Sequence, residues 1–196
     1  MCAGAIEGCV LLCVRDVPAV TLWVDADSCP ARVRVLVARA AARLGCVARF
    51  VANRPIPLVQ SPHCIMVETQ PVDQAADRHI IAYARAGDLV VTRDIVLAKA
   101  IVDARISVIN DRGDVYTEEN IRERLSVRNF MYDLRGQGLA PETTSPFGRR
   151  DAARFADSLD RETAKLLRLA RRREAKTGEE QCDWPSAQGK SQTGRR

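Results

Sequence analysis

The stretch Leu22-Trp23-Val24-Asp25-Ala26-Asp27-Ser28-Cys29-Pro30 constrains the chain most, because an apolar run halts at two carboxylates and proline follows at once. Such a run is a buried strand whose carboxyl end reaches a polar edge, with a helix starting behind it. Ligands of open α/β folds sit along that edge. Asp25 and Asp27 are costly there unless a cation or a proton compensates them.

The same grammar recurs downstream. Thr21–Val24 is predicted as the first strand and Pro30–Leu44 as a helix with Val33, Val37 and Ala41 on an inner row, arginines outside and Gly45 as its stop. Cys46–Ala52 and Cys64–Glu68 read as strands, separated by a loop in which Pro55 and Pro57 forbid a regular element. Asp73–Ala86 reads as a helix closed by Gly87, Asp88–Thr92 as a strand, Asp94–Ala104 as a helix and Ile106–Ile109 as a fifth strand. Strands alternating with helices at this spacing imply an α/β fold, a mostly parallel sheet with helices on both faces. Strand signals end at Asn110, and two C-terminal helices are expected: Glu118–Arg135 behind a Thr117 cap, and Arg150–Arg173 with Phe155, Leu159, Leu166 and Leu169 inside.

A hydrophobic fraction of 46% with only 5% aromatic residues makes the core aliphatic, as a helix-covered parallel sheet requires. The net charge of +5 is compatible with a polyanionic partner. Seven scattered cysteines form no Cys-x-x-Cys pair, which points away from zinc and disulfides and toward a reducing cytoplasm. No apolar run approaches the roughly 20 residues of a membrane span. The domain is expected over 20–173, followed by a disordered polar tail, 174–196. Residues 1–19 read as a disordered extension or a start-site artefact, since Glu7 and the lack of a basic n-region argue against a secretory signal.

Five carboxylates fall at junctions that a parallel sheet brings to one edge: Asp25 and Asp27 after the first strand, Asp73 and Asp77 four apart on one face of a helix start, and Asp94 after the fourth strand. An all-oxygen cluster suits Mg²⁺ or Mn²⁺ and phosphodiester hydrolysis, in which a cation lowers the pKa of water and neutralises phosphate charge. Singly, each acid reads as well as a helix cap or a first-turn charge, with Asp27 or Ser28 capping the first helix. Three junctions ending in Asp favour the joint assignment. His63 and His79 lack a triad partner and read as surface or packing residues, and Cys29 reads as buried. Arg54, Arg93 and Arg112 stand in loops near the same edge as phosphate-binding candidates.

Five segments carry a resemblance. They are Trp23-Val24-Asp25-Ala26-Asp27-Ser28-Cys29-Pro30, Val51-Ala52-Asn53, Val72-Asp73-Gln74-Ala75-Ala76-Asp77, Gly87-Asp88-Leu89-Val90-Val91-Thr92-Arg93-Asp94-Ile95 and Gly113-Asp114-Val115-Tyr116-Thr117-Glu118-Glu119-Asn120-Ile121. In order and as a set they resemble the YaiI/YqxD family, which looks like a branch of the PIN-like nuclease superfamily. That resemblance implies Mg²⁺- or Mn²⁺-dependent cleavage of RNA or other nucleic acid. It makes Asp25, Asp77 and Asp94 the catalytic acids, with Asp27 and Asp73 as supplementary metal ligands. The usual PIN pattern also has an acid on an earlier helix, and Pro30–Leu44 contains none.

The expectation is thus a metal-dependent nuclease in which Asp25, Asp27, Asp73, Asp77 and Asp94 surround the cation while Asn53 and Arg93 orient substrate. One alternative is a nucleic-acid or protein-binding module that keeps the fold without catalysis. Another is a haloacid-dehalogenase-type phosphatase using Asp25 and Asp27, for which Lys99, inside a helix, is a poor lysine.

Overall fold

The computed structural model describes residues 19–137 and 146–180, with side chains through 175. The expected runs become β1 (Thr21–Asp25), α1 (Ala31–Leu44), β2 (Val47–Ala52), β3 (Cys64–Glu68), α2 (Ala75–Tyr83), β4 (Leu89–Val91), α3 (Ile95–Asp103) and β5 (Ser107–Ile109). β6 (Val115–Tyr116), α4 (Glu118–Gly136) and α5 (Arg149–Glu180) follow. The sheet order is β3-β2-β1-β4-β5-β6, parallel throughout except for β6. Chain order reverses between β1 and β4, so a crevice opens at their carboxyl ends.

Side chains alternate across the strands and serve two cores. Leu22, Val24, Phe50, Leu89 and Val91 pack with Val33 and Val37 of α1 and with Phe155 and Leu159 of α5. On the other face Trp23, Val51, Val90 and Val108 pack with Ile80 of α2, Leu97 and Ile101 of α3, and Ile121 of α4. α1 ends on Gly45 at φ 69°, the left-handed stop expected of it.

Three expectations change. β6 was not legible, since two residues carry no period; it forms because the preceding turn folds the chain back. There Asn110 Oδ1 accepts the amides of Arg112 (2.9 Å) and Asp114 (2.8 Å), and Gly113 adopts φ 82°. A Cβ on Gly113 would lie 2.6 Å from the Arg154 carbonyl oxygen, so the turn is pressed onto α5. α2 is shorter than Asp73–Ala86 because Gln74 is left-handed at its N-cap (φ 61°) and Ala84 is extended. Asp73 therefore stands on the approach to α2 and does not share a helix face with Asp77. α5 runs on to Glu180, past the expected end at Arg173 and into the expected tail. The N-terminal extension through residue 18, the tail from 181 and residues 138–145 between α4 and α5 lie outside the described residues. Among the described residues no helix is long and apolar enough to cross a membrane.

Candidate functional site

Asp25 is the last residue of β1 and only 3% exposed. Its Oδ2 accepts the hydroxyls of Ser28 at 2.5 Å and Thr92 at 2.7 Å, and its Oδ1 accepts the Ser28 amide at 3.3 Å. Hydrogen bonds to an ionised carboxylate are strong enough to offset much of its burial. Thr92, buried just beyond β4, also accepts the Asp94 amide at 3.0 Å, and Ser28 Oγ accepts the Arg93 amide at 3.3 Å. These bonds fasten the end of β1 to the end of β4 at the reversal of strand order.

Asp27 does not cap α1, whose N-cap is Pro30 without a side-chain bond. Instead its Oδ2 accepts the Asn53 amide at 2.8 Å, tying the loop after β1 to the end of β2. Asp94 does cap its helix, with Oδ1 accepting the Val96 amide at 2.8 Å. Asp25, Asp27, Asp73, Asp77 and Asp94 nevertheless line one cleft of about 180 Å³ together with Ser28, Asn53 and Gln74. Burial first, and then Asp25, Asp94, Asp73 and Asp27 in decreasing order, push the Asp77 carboxyl up from 3.8 to about 6. Among the described residues no Lys or Arg lines the cleft. Nor, among those residues, do three His, Cys, Asp or Glu side chains come close enough to hold one ion by direct contact.

The arginines are placed elsewhere. Arg93 Nε lies 3.3 Å from Oδ2 of Asp111, a buried acid just past β5, and Arg93 does not line the cleft. Burial raises the Asp111 carboxyl while Arg93 and then Arg112 pull it down. Arg112 pairs with Asp151 at 3.6 Å, and Arg54 is exposed outside the cleft. Cys29 is buried with its thiol raised far above the ordinary range, chiefly by burial. His79 packs between the rings of Trp23 and Tyr83, and His63 Nδ1 is 3.0 Å from the Cys46 carbonyl. Lys99 pairs with Asp103 on its own helix at 2.5 Å, away from Asp25 and Asp27.

Sequence reasoning missed Thr92 and Asp111. Thr92 had no signal beyond its place directly after the β4 run. Asp111 obeys the same rule that marks Asp27, an acid two residues past the last strand residue.

Proteins named "UPF0178 protein" from Treponema denticola, Syntrophobacter fumaroxidans and Myxococcus xanthus are 48%, 45% and 42% identical to this chain. The matches cover 75%, 76% and 75% of this chain and 94%, 97% and 96% of those proteins. No solved structure matches significantly. The family model described as "Uncharacterized BCR, YaiI/YqxD family" spans residues 23–165, and with this the chain belongs to the YaiI/YqxD family.

Proposed function

We propose that the protein is a divalent-cation-dependent phosphodiesterase acting on nucleic acid, with RNA the first substrate to test, built on a PIN-like plan. The supporting observation is the convergence of Asp25, Asp27, Asp73, Asp77 and Asp94 from three separate junctions on one cleft at the reversal of strand order. Carboxylate oxygens suit Mg²⁺ or Mn²⁺. Mg²⁺ keeps much of its water and takes one or two carboxylates together with substrate phosphate, so acids ringing a cleft without a three-acid cage fit it better than they fit zinc or calcium.

Asp25, Asp77 and Asp94 are assigned to bind the hydrated cation, one or two of them directly and the rest through its water shell, with Asp27 and Asp73 adding negative potential. A bound cation would lower the pKa of an attacking water and neutralise charge on the scissile phosphate. Asp25 is held in one orientation by Ser28 and Thr92, which keeps its carboxylate where the two strand ends meet. With no cation bound the Asp77 carboxyl is raised to about 6, by burial first and then by the neighbouring aspartates, and a bound cation would oppose that rise. The Asn53 side chain, at the rim, can donate to a phosphate oxygen.

Mg²⁺ or Mn²⁺ is expected to raise the thermal unfolding midpoint of wild type and not of Asp25→Asn, and Asp94→Asn should lose metal-dependent cleavage of a mixed RNA pool. If wild type and Asp25→Asn respond alike to metal, the site assignment fails. Binding without cleavage would favour a non-catalytic module, a reading supported by the engagement of Asp94 Oδ1 as a cap and of Asp25 by two hydroxyls.

A further inference from the structure

Positive charge is concentrated in the middle of α5, where residues 161–173 hold six basic side chains and one acid, Glu162. Arg161, Lys165, Arg168 and Arg172 recur at spacings of four, three and four, which stacks them in one row along about 16 Å of helix. All four are exposed. Glu162 lies 3.5 Å from Arg161 and 3.6 Å from Lys165, whereas Arg168 and Arg172 have no carboxylate partner among the described residues. Like charges at this spacing repel and weaken a helix, so the row stands against a local cost. Lys165, Arg168, Leu169 and Arg172 frame a shallow hollow of about 260 Å³.

We infer that this row is a docking surface for the phosphate backbone of nucleic acid, separate from the acidic cleft. The choice of nucleic acid as the polyanion rests on the nuclease reading above. A cleft lined by five aspartates and, among the described residues, by no Lys or Arg repels a polyanion, so the attraction that holds a strand must come from elsewhere on the surface. An anionic membrane fits less well, because Phe155, Leu159 and Leu166 of α5 are buried in the core. Leu169, expected inside but exposed, is among the described residues the one large apolar side chain that the helix leaves open to solvent, too little to anchor it.

The test is fluorescence anisotropy of the full chain with an end-labelled, mixed-sequence RNA of about 20 nucleotides, titrated with salt in EDTA so that nothing is cleaved. At a slope of about 0.7 per phosphate neutralised on a single strand, changing all four basic residues to Gln should reduce the salt slope by about 3 and weaken binding about 10²–10³-fold at about 100 mM salt. Arg161→Lys/Arg168→Lys/Arg172→Lys, which keeps the charge, should retain most of the affinity. A control changing Arg32, Arg39, Arg122 and Arg128 to Gln removes as much charge from exposed positions on α1 and α4 and should bind nearly as wild type. If circular dichroism shows the fourfold variant unfolded, Arg168→Gln/Arg172→Gln should reduce the slope by about 1.4. Wild type that does not bind RNA, equal losses in the α5 and control variants, or binding to phosphatidylserine vesicles in place of RNA would each overturn the inference. Because binding is read without metal, absence of cleavage would sink the nuclease reading and leave this result standing.

Discussion

Asp77→Asn is expected to stabilise the protein when divalent cations are absent. The carboxyl is raised from 3.8 to about 6, so the fold favours its neutral form. Below the unfolded value both states hold the proton and the carboxyl imposes no penalty. From 3.8 up to about 6 the folded state keeps a proton that the unfolded state has released, so stability falls as pH rises, and above that window the full penalty persists. A rise of this size corresponds to a ceiling of about 3 kcal/mol, and because the side chain is only half-buried, solvent screening reduces it to about 1–2 kcal/mol. The first turn of α2 favours an acid by about 0.3–1 kcal/mol, but the upward net direction shows that burial and the four neighbouring aspartates outweigh it. For a domain of this size the variant should melt about 3–6 °C higher at pH 8 in EDTA, measured by differential scanning calorimetry. The gap should close as the pH approaches 4. A variant no more stable than wild type at pH 8, or a gap of the same size at pH 4, would refute the account of a carboxylate penalised by burial and then by its aspartate neighbours.

Gly113→Ala should cost about 2–4 kcal/mol in urea unfolding, because φ is 82° and the new Cβ would meet the Arg154 carbonyl oxygen at 2.6 Å; an unchanged midpoint would show that the turn is not pressed onto α5. Thr92→Val removes a buried hydroxyl donating to Asp25 at 2.7 Å and should cost about 1.5–3 kcal/mol in the same assay, with Thr92→Ser recovering part of it. Equal stability of the Val and Ser variants would argue against that bond. Cys29, 3% exposed and with its thiol raised by burial, should resist iodoacetamide in the native protein and label only on unfolding, as read by peptide mass spectrometry. Rapid native labelling would contradict its burial.

The fold class was legible because its signals are local. β-branched runs ending in acids or asparagine, helix-period rows behind them, Gly45 as a stop and Thr117 as a cap each act within a few residues; the two caps form as read, and the elements form in the expected order with shifted ends at α2 and α5. The membership of the cleft was legible for a related reason: parallel crossovers send every carboxyl strand end to one edge, so Asp25, Asp27, Asp73, Asp77 and Asp94 meet whatever their detailed geometry.

What each of those residues does there was decided by partners remote in sequence. Asp27 holds the Asn53 amide, 26 residues away, and leaves α1 uncapped; Thr92 reaches Asp25 across 67 residues. Arg93 turns to Asp111, and the left-handed Gln74 takes Asp73 off the helix face that its spacing suggested. Spacing along the chain sets which edge a side chain reaches. Hydrogen-bond partners, and the raised Asp77 carboxyl, depend on distances between separate elements, and those exist only once the sheet has closed around them.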